Sequence, residues 1–132
     1  MTNFNLIVLS AVASMALPAS ASAQTPERGK ALFAAECSAC HSVVPGQNGI
    51  GPSLGSIYGK RAGTVPGFKF STEMRTSHIV WTDAELNKFL TDPNNALFGT
   101  KMPTPGTEMH MGTPSAADRG SLIAYLRSLP RS

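Results

Sequence analysis

Apolar residues recur with a helical period in three parts of the chain, and the polar residues between them mark where each helix starts and stops. The first helix takes Thr25 as N-cap and Pro26 at its first position, a favoured pairing. It runs to about Cys37, with Gly29, Leu32 and Phe33 on one face. The second starts at Thr82, and Glu85 three residues on completes a capping-box pattern. Leu86, Phe89 and Leu90 form its apolar face, and Asp92-Pro93 stops it. The third opens at Thr113-Pro114 and closes before Pro130, with Leu122, Tyr125, Leu126 and Leu129 along one stripe. Between Pro45 and Gly67, where many Gly and Pro fall, neither helical nor strand period can be found. No stretch alternates as a strand would, so the predicted fold is all-α, three main helices joined by long loops.

The ends of the chain change this picture. Residues 1–23 contain no Lys, Arg, Asp or Glu. A largely apolar run from Leu6 to Leu17 precedes Pro18 and the small residues Ala21-Ser22-Ala23, the pattern of an export leader cleaved before Gln24. The first five residues lack the usual Lys or Arg, but the run falls short of the ~20 apolar residues needed to span a bilayer. The expected division is a cleaved signal peptide at 1–23 and one small domain at 24–132, exported to the periplasm. The formal net charge of +3 is scattered, with only Lys60-Arg61 adjacent. No basic stripe suits nucleic acid. A domain this rich in loops has difficulty burying enough apolar surface to offset its ordering entropy, and a buried cofactor would resolve that.

The chemistry lies in Cys37-Ser38-Ala39-Cys40-His41, which holds the only two cysteines. This C-x-x-C-H spacing reads as a covalent c-type haem attachment. Two thiols about one helical turn apart can reach the two vinyl groups of a porphyrin. His41 then falls beneath the ring, where a neutral imidazole can bind iron. A redox dithiol would call for a βαβ setting, and a zinc site would need two further ligands.

The chain resembles the class I cytochromes c, soluble monohaem proteins of mitochondria and bacteria, over nearly all of 24–132. Besides the attachment motif, the resemblance is carried by Gly29-Lys30-Ala31-Leu32-Phe33, Gly51-Pro52-Ser53-Leu54 and Tyr58-Gly59-Lys60-Arg61-Ala62-Gly63. Pro66-Gly67-Phe68-Lys69-Phe70, Ile79-Val80-Trp81, Gly99-Thr100-Lys101-Met102 and Leu122-Ile123-Ala124-Tyr125-Leu126 complete it in family order. The resemblance implies one covalent haem c with its iron, held by Cys37 and Cys40 and ligated by His41. It implies that the Pro52 carbonyl accepts a hydrogen bond from His41, that Trp81 reaches a haem propionate, and that Gly29 lets the first helix cross the last. Phe33, Leu122 and Tyr125 would fill that crossing. Phe70, Phe89 and Met74 depart from the mitochondrial pattern, which removes polar groups near the haem, and Phe98 stands where that pattern has a Pro.

The sixth iron ligand has two candidates, because Gly-Thr-x-Met occurs twice, ending at Met102 and at Met109. The forward count from Pro66-Gly67 through Trp81 and Asp92-Pro93 favours Met102, whereas counting backward from Tyr125 favours Met109. Met111 and His110 are further possibilities, and His78 reads as a surface histidine. With Met102 as ligand, 107–112 become an inserted surface loop.

His/Met ligation leaves no open coordination site, so the resemblance implies a non-enzymatic, monomeric electron carrier. It would shuttle single electrons between a membrane complex and an oxidase, reductase or dehydrogenase, touching membranes only peripherally. The alternatives are a peroxidase-like or sensing haem protein with a weak sixth site, and a membrane-tethered subunit of an oxidoreductase.

Overall fold

The computed structural model describes residues 23–100, 102, 113 and 115–131. The expected leader, apart from Ala23, therefore lies outside the described residues. Helix α1 (Pro26–Leu32) begins at Thr25, whose side chain accepts from the Arg28 N–H, and continues into a single π-helical turn, Phe33–Cys37. Short helices α2 (Thr72–Thr76) and α4 (Pro93–Ala96) flank α3 (Asp83–Thr91), and α5 (Ala116–Ser128) closes the chain. Among the described residues there is no strand, only an isolated bridge between Arg61 and Val80. None of their helices is long and apolar enough to cross a membrane.

One boundary differs from expectation, and two that agree carry further detail. Helix α5 starts after Ser115, which caps it by accepting from the Asp118 N–H at 3.2 Å. Thr113 is occupied elsewhere: its N–H donates to the Leu90 carbonyl at 2.6 Å and its carbonyl accepts from Arg119 at 2.7 Å. Thr82 caps α3 through the Glu85 N–H at 3.3 Å, but its own N–H goes to the Val80 carbonyl at 2.7 Å rather than into a reciprocal box. Asp92-Pro93 does stop α3, and the same pair starts α4, with the Asp92 carboxylate accepting from the Asn95 N–H at 3.1 Å. Helices α2 and α4 are too short to show a period, so the sequence pattern passes over them.

The fold is anchored where α1 crosses α5, the most extensive helix–helix contact in the molecule. Gly29 is buried against α5, and a Cβ there would lie 1.9 Å from the Ser121 carbonyl oxygen and 2.7 Å from the Tyr125 Cβ. Only glycine permits this approach. The rings of Phe33 and Tyr125 meet beside it with centroids 5.8 Å apart, and Leu122 is fully buried. Arg28 and Asp118 pair across the same crossing, with Nε donating at 3.1 Å. The far face of α5 packs on α3 and sends Ile123 and Leu126 into a core shared with Leu86, Phe89, Trp81, Met74 and Ile57.

Candidate cofactor site

The π turn ends at Cys37, which it brings to the wall of a cavity beside this core. Its last hydrogen bond, from the Ser38 N–H to the Phe33 carbonyl at 2.9 Å, hands over to a tighter turn. There the Cys37 carbonyl accepts from both the Cys40 N–H (3.1 Å) and the His41 N–H (3.0 Å). The loop 49–55 then folds back along this turn. The Gly51 N–H donates to the Cys40 carbonyl at 2.8 Å, and the Leu54 N–H donates to the Ser42 carbonyl at 2.7 Å.

Between these contacts the His41 Nδ1 lies 2.7 Å from the Pro52 carbonyl oxygen. A carbonyl only accepts, so Nδ1 carries the hydrogen and the neutral ring keeps its lone pair on Nε2. Gly51 lies against the same ring: a Cβ there would stand 2.4 Å from His41 Cε1 and 2.9 Å from Nε2. Any larger residue would displace the imidazole. Asn48 braces the loop from outside, accepting from the Ser53 N–H and donating to the Pro66 carbonyl, both at 2.9 Å. Sequence reasoning found Pro52 but missed these two supports. The clustered glycines at 49, 51 and 55 hinted at close backbone approach, whereas nothing distinguished Asn48 from an ordinary loop residue.

Cys37, Cys40, His41, Pro52, Trp81 and Met102 all line one cavity of about 400 Å³. Its remaining wall is mainly the core itself, including Ile57, Val65, Phe70, Met74, Phe89 and Leu126. Trp81 is buried, with its ring edge-on to Phe89 at 5.2 Å. Met102 is half-buried, while Met109, His110 and Met111 lie outside the described residues. Apolar side chains that face open space forfeit the dispersion contacts a packed neighbour would give them. The walls therefore suit a large apolar group entering between the cysteine turn and Met102.

The electrostatics disfavour a redox dithiol. Burial, with Glu36 and Cys40 nearby, pushes the Cys37 thiol up to about 11, whereas a reactive dithiol needs a lowered value. Among the described residues no group of three or more His, Cys, Asp or Glu could hold a bare metal ion. His78 is exposed, in the left-handed region at φ 58°, and its Nδ1 accepts from the Arg61 guanidinium at 3.0 Å.

The cytochrome c family model matches residues 26–130, nearly all of the domain described above. The chain belongs to the cytochrome c family. It is 45% identical over 93 residues to cytochrome c2 iso-2 of Magnetospirillum fulvum, covering 70% of this chain and 91% of that protein. It is 42% identical over 103 residues to cytochrome c of Euglena viridis, covering 78% and 95% respectively. Among solved structures it is similar to cytochrome cH from Methylobacterium extorquens, with a TM-score of 0.69 and 33% identity over 79% of this chain and 98% of that one. This cytochrome's cofactor is a covalently attached haem c with its iron, and Cys37-Ser38-Ala39-Cys40-His41 fits the attachment motif. Its class of function is that of a monohaem electron carrier.

Proposed function

We propose that this cytochrome is an exported, soluble carrier in which His41 and Met102 would be the protein ligands of the haem iron. When bound, the haem supplies one-electron oxidation and reduction at its iron. The protein's own residues do the rest. Cys37 and Cys40 would hold the ring through thioethers, and Pro52 and Gly51 fix the imidazole so that its Nε2 lone pair would be free for the iron. The Met102 thioether would be the second protein ligand, a donor that would raise the potential. Trp81, Phe89 and Leu126 line the cavity and would exclude water from the bound group. With both of these ligands in place no site would remain for substrate, which suits a carrier rather than an enzyme. Its partners are redox proteins met briefly, in the periplasm, after the leader is removed before Gln24.

The observation that carries this reading is the His41–Pro52 contact at 2.7 Å in a cavity that Met102 also lines. Replacing Met102 and Met109 separately with Ala and recording the oxidised spectrum tests it. Loss of the far-red sulfur-to-iron band in Met102→Ala alone supports the ligand assignment, and loss in Met109→Ala alone overturns it. Rapid, complete carbon monoxide binding by the reduced wild-type protein would overturn the carrier reading.

A further inference from the structure

The turn that leads to Met102 is covered by a residue outside the cavity wall. Leu97–Thr100 closes tightly, with the Thr100 N–H donating to the Leu97 carbonyl at 3.1 Å. Gly99 takes the third position of this turn at φ 82°, where a β-turn calls for glycine. One end is fixed to α4, because the Leu97 N–H donates to the Pro93 carbonyl at 3.0 Å. The other end leads straight to Met102. Phe98, the turn's second residue, is 89% exposed and gives it no packing of its own. The cover comes instead from Glu73 on α2. A Cβ at Gly99 would lie 2.9 Å from Glu73 Cγ, 3.0 Å from Cδ and 3.3 Å from Oε2, so the end of that side chain rests on the bare glycine. Helix α2 is itself held in place: Ser71 caps it by accepting from the Met74 N–H at 3.2 Å, and Met74 is buried in the cavity wall. One short helix therefore reaches the site twice, lining the cavity with Met74 and backing the Met102 turn with Glu73.

We propose that Glu73 is a positioning residue for Met102: its side chain backs the Leu97–Thr100 turn and so limits how far the thioether can withdraw from the cavity. This rests on the reading that Met102 is an iron ligand. The closest approaches are made by Cγ and Cδ, so the effect is one of packing, and a neutral side chain of the same shape preserves it. Removing the side chain beyond Cβ leaves Gly99 uncovered on that side. Glycine has the widest backbone freedom of any residue, so this is where the turn gives way. A loosened turn lets the thioether leave more readily, and the sulfur then competes less well with another donor.

Imidazole, a nitrogen donor, tests this by competing with Met102 in the oxidised, haem-loaded protein, and the far-red sulfur-to-iron band reads the competition. Glu73→Ala should bind imidazole about fivefold more tightly than wild type, the effect of losing a few packed contacts. Glu73→Gln should stay within about twofold of wild type. Melting temperature separates positioning from general support, because a merely structural role lowers it in Glu73→Ala with the imidazole affinity unmoved. Equal affinities in wild type and Glu73→Ala overturn the proposal, and so does a Glu73→Gln protein that follows Glu73→Ala. If Met102→Ala keeps the far-red band, the ligand reading falls and the proposal falls with it.

Discussion

Replacing Gly29 with Ala adds one methyl group where α1 meets α5. The new Cβ would lie 1.9 Å from the Ser121 oxygen, and ordinary contact begins at 3.4 Å, so the helices must part by roughly 1.5 Å. The obstruction is helix backbone, which cannot rotate aside as a side chain could. Overpacking of this kind costs about 1–3 kcal/mol, and the rigid neighbour argues for the upper end. Alanine's better helix propensity returns about 1 kcal/mol. The net loss is about 2 kcal/mol, or about 8–16 °C in melting temperature for a domain of this size. Thermal melting of the haem-loaded variant, followed by far-ultraviolet circular dichroism and by haem absorbance, measures it. Gly120→Ala is the control, because there the new methyl meets only the end of the Gln24 side chain, and its stability should stay within about 1 kcal/mol of wild type. A Gly29→Ala melting temperature at or above wild type would refute the reasoning, as would equal losses in the two variants.

The remaining predictions concern the cavity. His41→Ala should abolish stable haem incorporation while both cysteines remain, read from the haem absorbance of purified protein; a full complement of haem would contradict the proximal role. Gly51→Ala pushes a methyl into the His41 ring, 2.4 Å from Cε1. It should shift the midpoint potential and weaken the His41–Pro52 bond, seen as a displaced imidazole resonance, and an unchanged spectrum would contradict the packing argument. Asn48→Ala removes two hydrogen bonds between loops and should lower stability by about 1–3 kcal/mol in denaturant titration, with the potential nearly unchanged.

How much of this was legible in the sequence depends on the range over which each residue acts. Thr25 and Thr82 cap helices through neighbours three residues away, and Asp92-Pro93 stops α3, so these roles could be read locally and the structure keeps them, whereas the α4 cap at Asp92 was not read. Thr113 was misread as a helix start because its partners, Leu90 and Arg119, come from a distant helix and the next turn. The π turn at Phe33–Cys37 had no signature either, since it shifts one hydrogen bond without changing the apolar pattern. The crossing at Gly29 was reachable only through family resemblance. Gly51 and Asn48 act on loops with no period, where spacing carries no information about what lies alongside.

The cavity explains why so loop-rich a chain can fold at all. Six side chains of the core, Ile57, Met74, Trp81, Leu86, Phe89 and Leu126, also line the cavity. On that side the haem would supply dispersion contacts that help offset chain entropy. The α1–α5 crossing does not depend on those surfaces, because Gly29, Ser121, Leu122 and Tyr125 lie outside the cavity wall. The molecule thus divides into a helix pair that packs on itself and a set of loops that pack on the cofactor. Without haem, the loops at 42–71 should lose their protection from hydrogen exchange before the α1–α5 pair does. Uniform loss across both regions would mean that the crossing, too, is held together by the cofactor.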